Sequence, residues 1–377
     1  MALHLTGSIG VSNSITSTHF SGSMSGSFQG DGSRLTGLKV FPYTGSAEIT
    51  GSAEITGSVS FASSSPPSSG AWSTGNAMTT ARYHPGGAGT QTAGLAFGGY
   101  GAPGCNCTEE YNGTSWSGGS ALAVGRYQLA GAGTQTAGLA FGGYGGDACT
   151  EEYNGTSWST GGALANSRQA GGGAGTQTAG LAFGGYGGNS CTEEYNGTSW
   201  SAGGALGTGR CCLAGAGIQN AAIAFGGSNG GAGLSCTEEY NGTSWTAGGA
   251  LAAGIQQLGG AGTQTAGLAF GGYGGGGYKA CTEEYNGTSW SAGGALATAR
   301  SQLAGAGTQT SGLAFGGTNG TYVSCTEEYT GGSSGGFETT FDYSPTTGKT
   351  MIIPPTTDPA VAGALWNNAG TLSISAG

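Results

Sequence analysis

The residues of this chain best suited to chemistry are six adjacent glutamate pairs: Glu109 and Glu110, Glu151 and Glu152, Glu193 and Glu194, Glu238 and Glu239, Glu283 and Glu284, and Glu327 and Glu328. Clustered carboxylates suit two tasks. One is holding divalent cations, whose hard charge favours several oxygen ligands. The other is glycoside hydrolysis, which needs two carboxyls in opposed environments. Six near-identical pairs offer no such opposition, so the second task is excluded. Against a ring of cation sites stands a framework role, in which Arg82, Arg126, Arg168, Arg210 and Arg300, recurring once per unit, pair with the acids across neighbouring units. Ile255 occupies the place of a sixth arginine. Nucleophilic catalysis finds no support, because His4, His19 and His84 are too few and too peripheral for a triad. Cys105 and Cys107, or Cys211 and Cys212, are spaced for a metal but lack histidine partners. The expectation is a protein with no enzymatic activity, no metal and no cofactor.

The elements that must position the glutamates follow from their spacing. Thr-Glu-Glu-Tyr begins at 108, 150, 192, 237, 282 and 326, at intervals of 42, 42, 45, 45 and 44. Trp72, Trp116, Trp158, Trp200, Trp245 and Trp290 repeat with the same period. Units in the low forties match a propeller blade of four strands. Two-helix repeats have similar length, but the glycines that recur in phase with the repeat would break every helix they occupied. In one copy, 301–307 reads as a small-residue inner strand and 310–317 as an apolar strand ending on two glycines. The segment 281–285 reads as an alternating strand, with Cys281, Glu283 and Tyr285 on one face. Asn286 and Gly287 then read as a two-residue hairpin turn, and Trp290 lies on the last strand.

Composition narrows the partners. Charged residues are 7% of the chain, the net charge is −10, and the nine Lys and Arg are scattered, so no basic stripe exists for nucleic acid. No segment approaches 18 consecutive apolar residues, and the first residues lack the pattern of a secretory signal, so neither membrane insertion nor Sec export is expected. Cys107, Cys149, Cys191, Cys236, Cys281 and Cys325 share one repeat position, too far apart between blades for disulfides, and read as buried free thiols of a protein made in a reducing cytosol.

The order of apolar run, Gly-Gly, Glu-Tyr, turn, Trp and Arg over 71–329 resembles the kelch repeat. The resemblance implies a β-propeller in which Tyr111, Tyr153, Tyr195, Tyr240, Tyr285 and Tyr329 pack with the six tryptophans between blades. Kelch-type copper oxidases need His and Tyr ligands that these repeats do not offer. The inner strand departs from the family in its wealth of Gly and Ala. Trp72 has no Glu-Glu-Tyr strand before it, and Glu327, Glu328 and Tyr329 have no Trp after them, so the two incomplete ends sum to one blade. The expected fold is an all-β, six-bladed kelch-like propeller over 69–330, closed by pairing of its terminal strands.

Residues 1–68 read as a Gly/Ser-rich, fibre-like attachment segment, and 331–377 as a short β extension. Residues 44–61 repeat with a period of six as TGSAEI, TGSAEI, TGSVSF. One apolar residue per unit cannot bury a core in a single chain. Such a repeat suits a shaft shared by several chains, most simply a trimer, or else a flexible linker. The wording of 21–38 (SGSMSGSFQGDGSRLTGL) and of 354–377 (PPTTDPAVAGALWNNAGTLSISAG) resembles structural proteins of tailed bacteriophages, especially those of marine cyanobacteria. That resemblance implies a virion protein made in the bacterial host cytoplasm and joined to other virion proteins through 1–68. It implies either a tail fibre that touches a host surface polysaccharide or a head fibre that decorates the capsid without a specific ligand.

Variation between the copies suggests where a ligand would sit. The GTQT and YNGTSW wording is nearly constant, whereas the stretch after the double glycine and the stretch before each inner strand differ in every unit. In an antiparallel blade these two connections emerge on one face. Diversified loops on a rigid scaffold can form a binding surface, and drift in exposed loops is the competing reading. On the first reading the contacts come from Tyr83, His84, Tyr100, Tyr127, Tyr278, Lys279 and Tyr322, whose aromatic faces stack on sugar rings and whose polar tips fix orientation.

Overall fold

The computed structural model describes residues 59–62, 70–101, 106–146, 148–186, 189–332, 338–344, 349–353, 365–368 and 371–374. All regular structure among them is β-strand, and no helix there is long and apolar enough to cross a membrane. The chain divides into two compact units, 69–333 on one hand and 1–68 with 334–377 on the other.

The larger unit is a six-bladed β-propeller. Blade one comprises strands Gly86–Thr90, Ala93–Phe97, Thr108–Tyr111 and Trp116–Gly119, paired antiparallel in sequence order. Blades two to five repeat this plan within 130–160, 172–203, 214–247 and 259–292. Blade six takes three strands from the end of the array, Ala304–Gly307, Ser311–Phe315 and Thr326–Thr330, and its fourth, Ala71–Gly75, from the beginning. Trp72 pairs with Tyr329 in the register that Trp116 and Tyr111 use in blade one. The closure leaves no unpaired third strand.

Each strand's composition follows from its place. The first strands of all six blades surround the axis. At Gly87, Gly131, Gly173, Gly215, Gly260 and Gly305 an added Cβ would fall 2.4–3.1 Å from the carbonyl oxygen of the equivalent glycine in the preceding blade. Axial crowding therefore dictates the Gly/Ala inner strand. Second strands are buried on both faces and so are continuously apolar, as in Leu95, Ala96 and Phe97. Third strands alternate: Thr and the second Glu face the following blade, while Tyr faces the preceding one.

Blades are joined by polar rings as well as by apolar packing. Each tryptophan meets the phenylalanine of the preceding blade edge-on, as Trp158 does Phe97 at 5.0 Å. Its indole N–H donates to that blade's threonine, as from Trp158 Nε1 to Thr108 Oγ1 at 2.9 Å. Trp72 closes this ring, meeting Phe270 at 5.0 Å and donating to Thr282 at 2.8 Å. The glutamine of each GTQT hairpin, or its counterpart, donates twice to the preceding blade: Gln135 bonds the carbonyls of Gly94 (3.0 Å) and Tyr111 (2.7 Å). In blade four Gln219 does the same within GIQN. The constant wording is thus the inter-blade joint.

Two sequence expectations change. The Asn-Gly turn is a four-residue loop, because Tyr285 pairs with Trp290. Asn286 Oδ1 accepts from the N–H groups of Thr288 and Ser289, and only Gly287, at φ 86°, is left-handed. The Asn carboxamide replaces backbone pairing as the turn's anchor. Of the described cysteines only Cys211 and Cys212 are buried; Cys281 is exposed and the other repeat cysteines are half-buried. Their position precedes the third strand, at the rim and outside the inter-blade core.

In the smaller unit Val59–Ala62 pairs with Glu338–Ser344, which pairs with Lys349–Ile353, and Leu365–Asn368 forms a hairpin with Thr371–Ile374. The remainder of the expected shaft, most of the terminal phrase and Cys105 lie outside the described residues.

Candidate functional site

All twelve repeat carboxylates have structural partners. The first glutamate of each pair is buried and accepts an N–H from the connection entering its blade, such as Ala123 N–H to Glu151 at 2.7 Å. In five blades it also pairs with the arginine of that connection: Arg82 with Glu109, Arg126 with Glu151 (3.1 Å), Arg168 with Glu193 (2.5 Å), Arg210 with Glu238 and Arg300 with Glu327. These pairs form within a blade unit and do not cross between blades. The guanidinium bridges the end of the second strand and the start of the third, as Arg82 does by donating to Gly98 O and Cys107 O. Ile255 leaves Glu283 without an arginine, and burial raises the pKa of that carboxyl. The second glutamate crosses between blades, accepting from the next tyrosine hydroxyl: Tyr153 to Glu110 at 2.5 Å, Tyr195 to Glu152 at 2.6 Å, and so on until Tyr111 to Glu328 closes the ring. Burial, helped by the carboxylate, pushes the phenols of Tyr195, Tyr240 and Tyr285 up to about 12. Among the described residues no group of three or more His, Cys, Asp or Glu could hold a metal ion.

The variable connections form the other candidate. Short backbone bridges tie the two connections of a unit together on one face: Tyr83 to Tyr100, Tyr127 to Tyr144, Gln256 to Tyr273 and Ser301 to Thr318. One residue per blade here adopts positive φ without being glycine: His84 (54°), Gln128 (60°), Ala170 (51°), Cys212 (58°), Gln257 (57°) and Gln302 (57°). Each donates its backbone N–H to the carbonyl of the equivalent residue in the preceding blade, at 2.7–3.1 Å, until His84 N–H meets Gln302 O. This closed hydrogen-bonded ring surrounds the mouth of the axial channel, and its bonds offset a left-handed cost of roughly 1–2 kcal/mol per residue. Next to it in sequence, the start of each inner strand lines a channel of about 100 Å3. His84 is partly exposed, yet desolvation lowers its pKa to about 4, and its ring stays neutral.

Outside this ring the tyrosines converge. Tyr322 and Tyr83 lie 5.0 Å apart, Tyr83 and Tyr100 5.3 Å, Tyr100 and Tyr127 5.5 Å, and Tyr127 and Tyr144 5.1 Å, a continuous arc over blades six, one and two. Tyr186 extends it toward blade three, accepting from Gln128 Nε2 at 3.5 Å. In blade five a short hairpin, Tyr273–Gly274 with Gly277–Tyr278, turns on Gly275 and Gly276 at positive φ. It carries Lys279 and Tyr278, the latter edge-on to Tyr273 at 5.8 Å. A cavity of about 250 Å3 opens between this hairpin and blade six.

Of the residues expected from sequence, Tyr83, Tyr100, Tyr127 and Tyr322 are brought into one cluster with His84 beside Tyr83. Tyr278 and Lys279 stand apart on the blade-five hairpin. Tyr144, Tyr186 and Tyr273 were missed, although each follows a Gly-Gly in register with Tyr100. The ring glutamines were missed too, although repeat register aligns Gln128, Gln257 and Gln302 with His84. No protein-family model matches the chain, and no curated protein matches it.

Proposed function

We propose that this propeller is a ligand-displaying head of a tailed-phage virion protein, a fibre whose variable face adheres to glycans of the host surface. The observation that carries the reading is the tyrosine arc, in which Tyr100, Tyr144 and Tyr322 are exposed in a row instead of being buried. Stacked aromatic faces with polar tips suit sugar rings, at roughly 0.5–1.5 kcal/mol per aromatic contact. The phage-like wording of 21–38 and 354–377 supports placement on a virion, and the six-residue period of 44–61 supports attachment and oligomerisation through 1–68. Weak contacts then gain from multivalency, by about 10²–10⁴ when several heads engage together. A binding role without catalysis fits the twelve repeat carboxylates, the first of each pair engaged within its own blade unit and the second joined to the next blade.

The test is adsorption of phage to host cells with Tyr100, Tyr144 and Tyr322 changed to Ala. The expected result is at least a tenfold loss of adsorption with normal particle assembly. Unchanged adsorption would reject the adhesive reading and leave a head fibre or capsid-decorating protein.

A further inference from the structure

We infer that the cavity between blades five and six is a subsite for a single neutral monosaccharide unit, at one end of the tyrosine arc; this rests on the glycan reading above. At about 250 Å3 the cavity is smaller than the roughly 300–1,000 Å3 of pockets for drug-sized ligands, which is room for one sugar ring. Its aromatic wall is the Tyr273 and Tyr278 pair on the hairpin. Its polar side comes from Gln257 and Gln302, neighbours in the axial ring, with the hydroxyls of Ser301 and Thr318. Carboxamides and hydroxyls both donate and accept, as sugar hydroxyls do, so adjacent hydroxyls can be bonded in either sense. No lining residue carries a charge, which disfavours a uronate or phosphorylated sugar left without a counter-ion.

The site is particular to this junction. Gln257 and Gln302 are the only adjacent glutamines in the ring, whose other members are His84, Gln128, Ala170 and Cys212. Among the described residues only blade five builds the extra hairpin that supplies the aromatic wall. The backbone of the lining is held in place, because Gln256 bridges Tyr273, Ser301 bridges Thr318, and the main chain of both ring glutamines is fixed by inter-blade hydrogen bonds. Preorganisation of this kind lowers the entropy lost on binding.

The experiment titrates the full-length protein with glucose, galactose, mannose and glucuronic acid, following tyrosine fluorescence. At least one neutral hexose should bind saturably, and more tightly than glucuronic acid. Thr318→Trp, which fills the cavity from a half-buried position, should weaken that binding at least tenfold. Gln257→Ala should weaken it several-fold, and should fold because Ala170 already holds the equivalent left-handed position. Absence of saturable hexose binding, binding of glucuronic acid as tight as any hexose, or parental affinity in both folded variants would overturn the proposal. Host-cell adsorption measured on the same proteins separates the two readings. Hexose binding without adsorption leaves the cavity standing and rejects the adhesin; adsorption without hexose binding does the reverse.

Discussion

Glu283 and Glu238 occupy the same repeat position, but Glu238 has the Arg210 guanidinium and a second backbone donor, the Thr208 N–H, which makes the two an informative comparison at the scale of the residue. Glu238 is held by Arg210, and removing one member of a buried ion pair costs about 3–5 kcal/mol because the other is left uncompensated. Glu283 has only the Ala252 N–H at 2.9 Å, and its raised pKa means that the folded state holds a proton more tightly than the unfolded chain. The stability this provides is present at low pH and lost as pH rises through the folded pKa. At neutral pH, therefore, Glu283→Gln, which keeps an acceptor for Ala252, should raise the melting temperature. Glu238→Gln should lower it by several degrees. A fall of similar size in both variants would contradict the assignment. His84 has the opposite sign. Its folded pKa of about 4 lies below the ordinary 6.5, so its contribution is present above pH 6.5 and is lost as pH falls toward 4. His84→Gln places in blade one the residue that Gln128 supplies in blade two, and should melt less steeply with pH than the parent between pH 6.5 and 4. Melting curves at a series of pH values check both.

At the scale of the element, the strand Ala71–Gly75 has few contacts of its own sheet to rely on beyond the third strand of blade six, yet it completes two rings. Trp72 seals Phe270 and Tyr329 and donates to Thr282. Deleting 69–76 removes all of these and leaves the Thr326–Thr330 strand as an open edge, a template for pairing with other chains. The deletion should lower the melting temperature and convert the protein to aggregates in size-exclusion chromatography. A deletion variant with the size and heat resistance of the parent would show that blade six closes by other means.

For the whole molecule, identical joints hold six blades while one face is free to vary. The Gln, Trp and Tyr rings all lie in constant wording, so loops on the opposite connections can change without loosening the disc. On the adhesive reading, such a head gains affinity mainly from the number of copies engaged. We expect the full-length chain to be a trimer, through 1–68, by mass measurement in solution. A monomer would remove the multivalency on which the adhesive reading depends.

Sequence alone determined the blade count, the all-β class and the strand exchange at closure, because these follow from repeat period and from which elements are missing at each end. It also placed the two variable connections on one face, since antiparallel topology leaves no other arrangement. Only the tertiary structure decided what the carboxylates do. A Glu pair reads the same whether it holds a cation or a neighbour, and the choice depends on distances to Arg126 or Tyr153 that lie 25 and 43 residues away in the chain. The proposed binding face shows the same division. Tyr83, Tyr100, Tyr127 and Tyr322 were visible as variable-loop aromatics, but their union into an arc required Tyr322, from the last blade, to meet Tyr83, from the first. The axial ring of His84, Gln128, Ala170, Cys212, Gln257 and Gln302 had no signature in residue type, since what unites these six is a backbone conformation imposed by the closed circle itself.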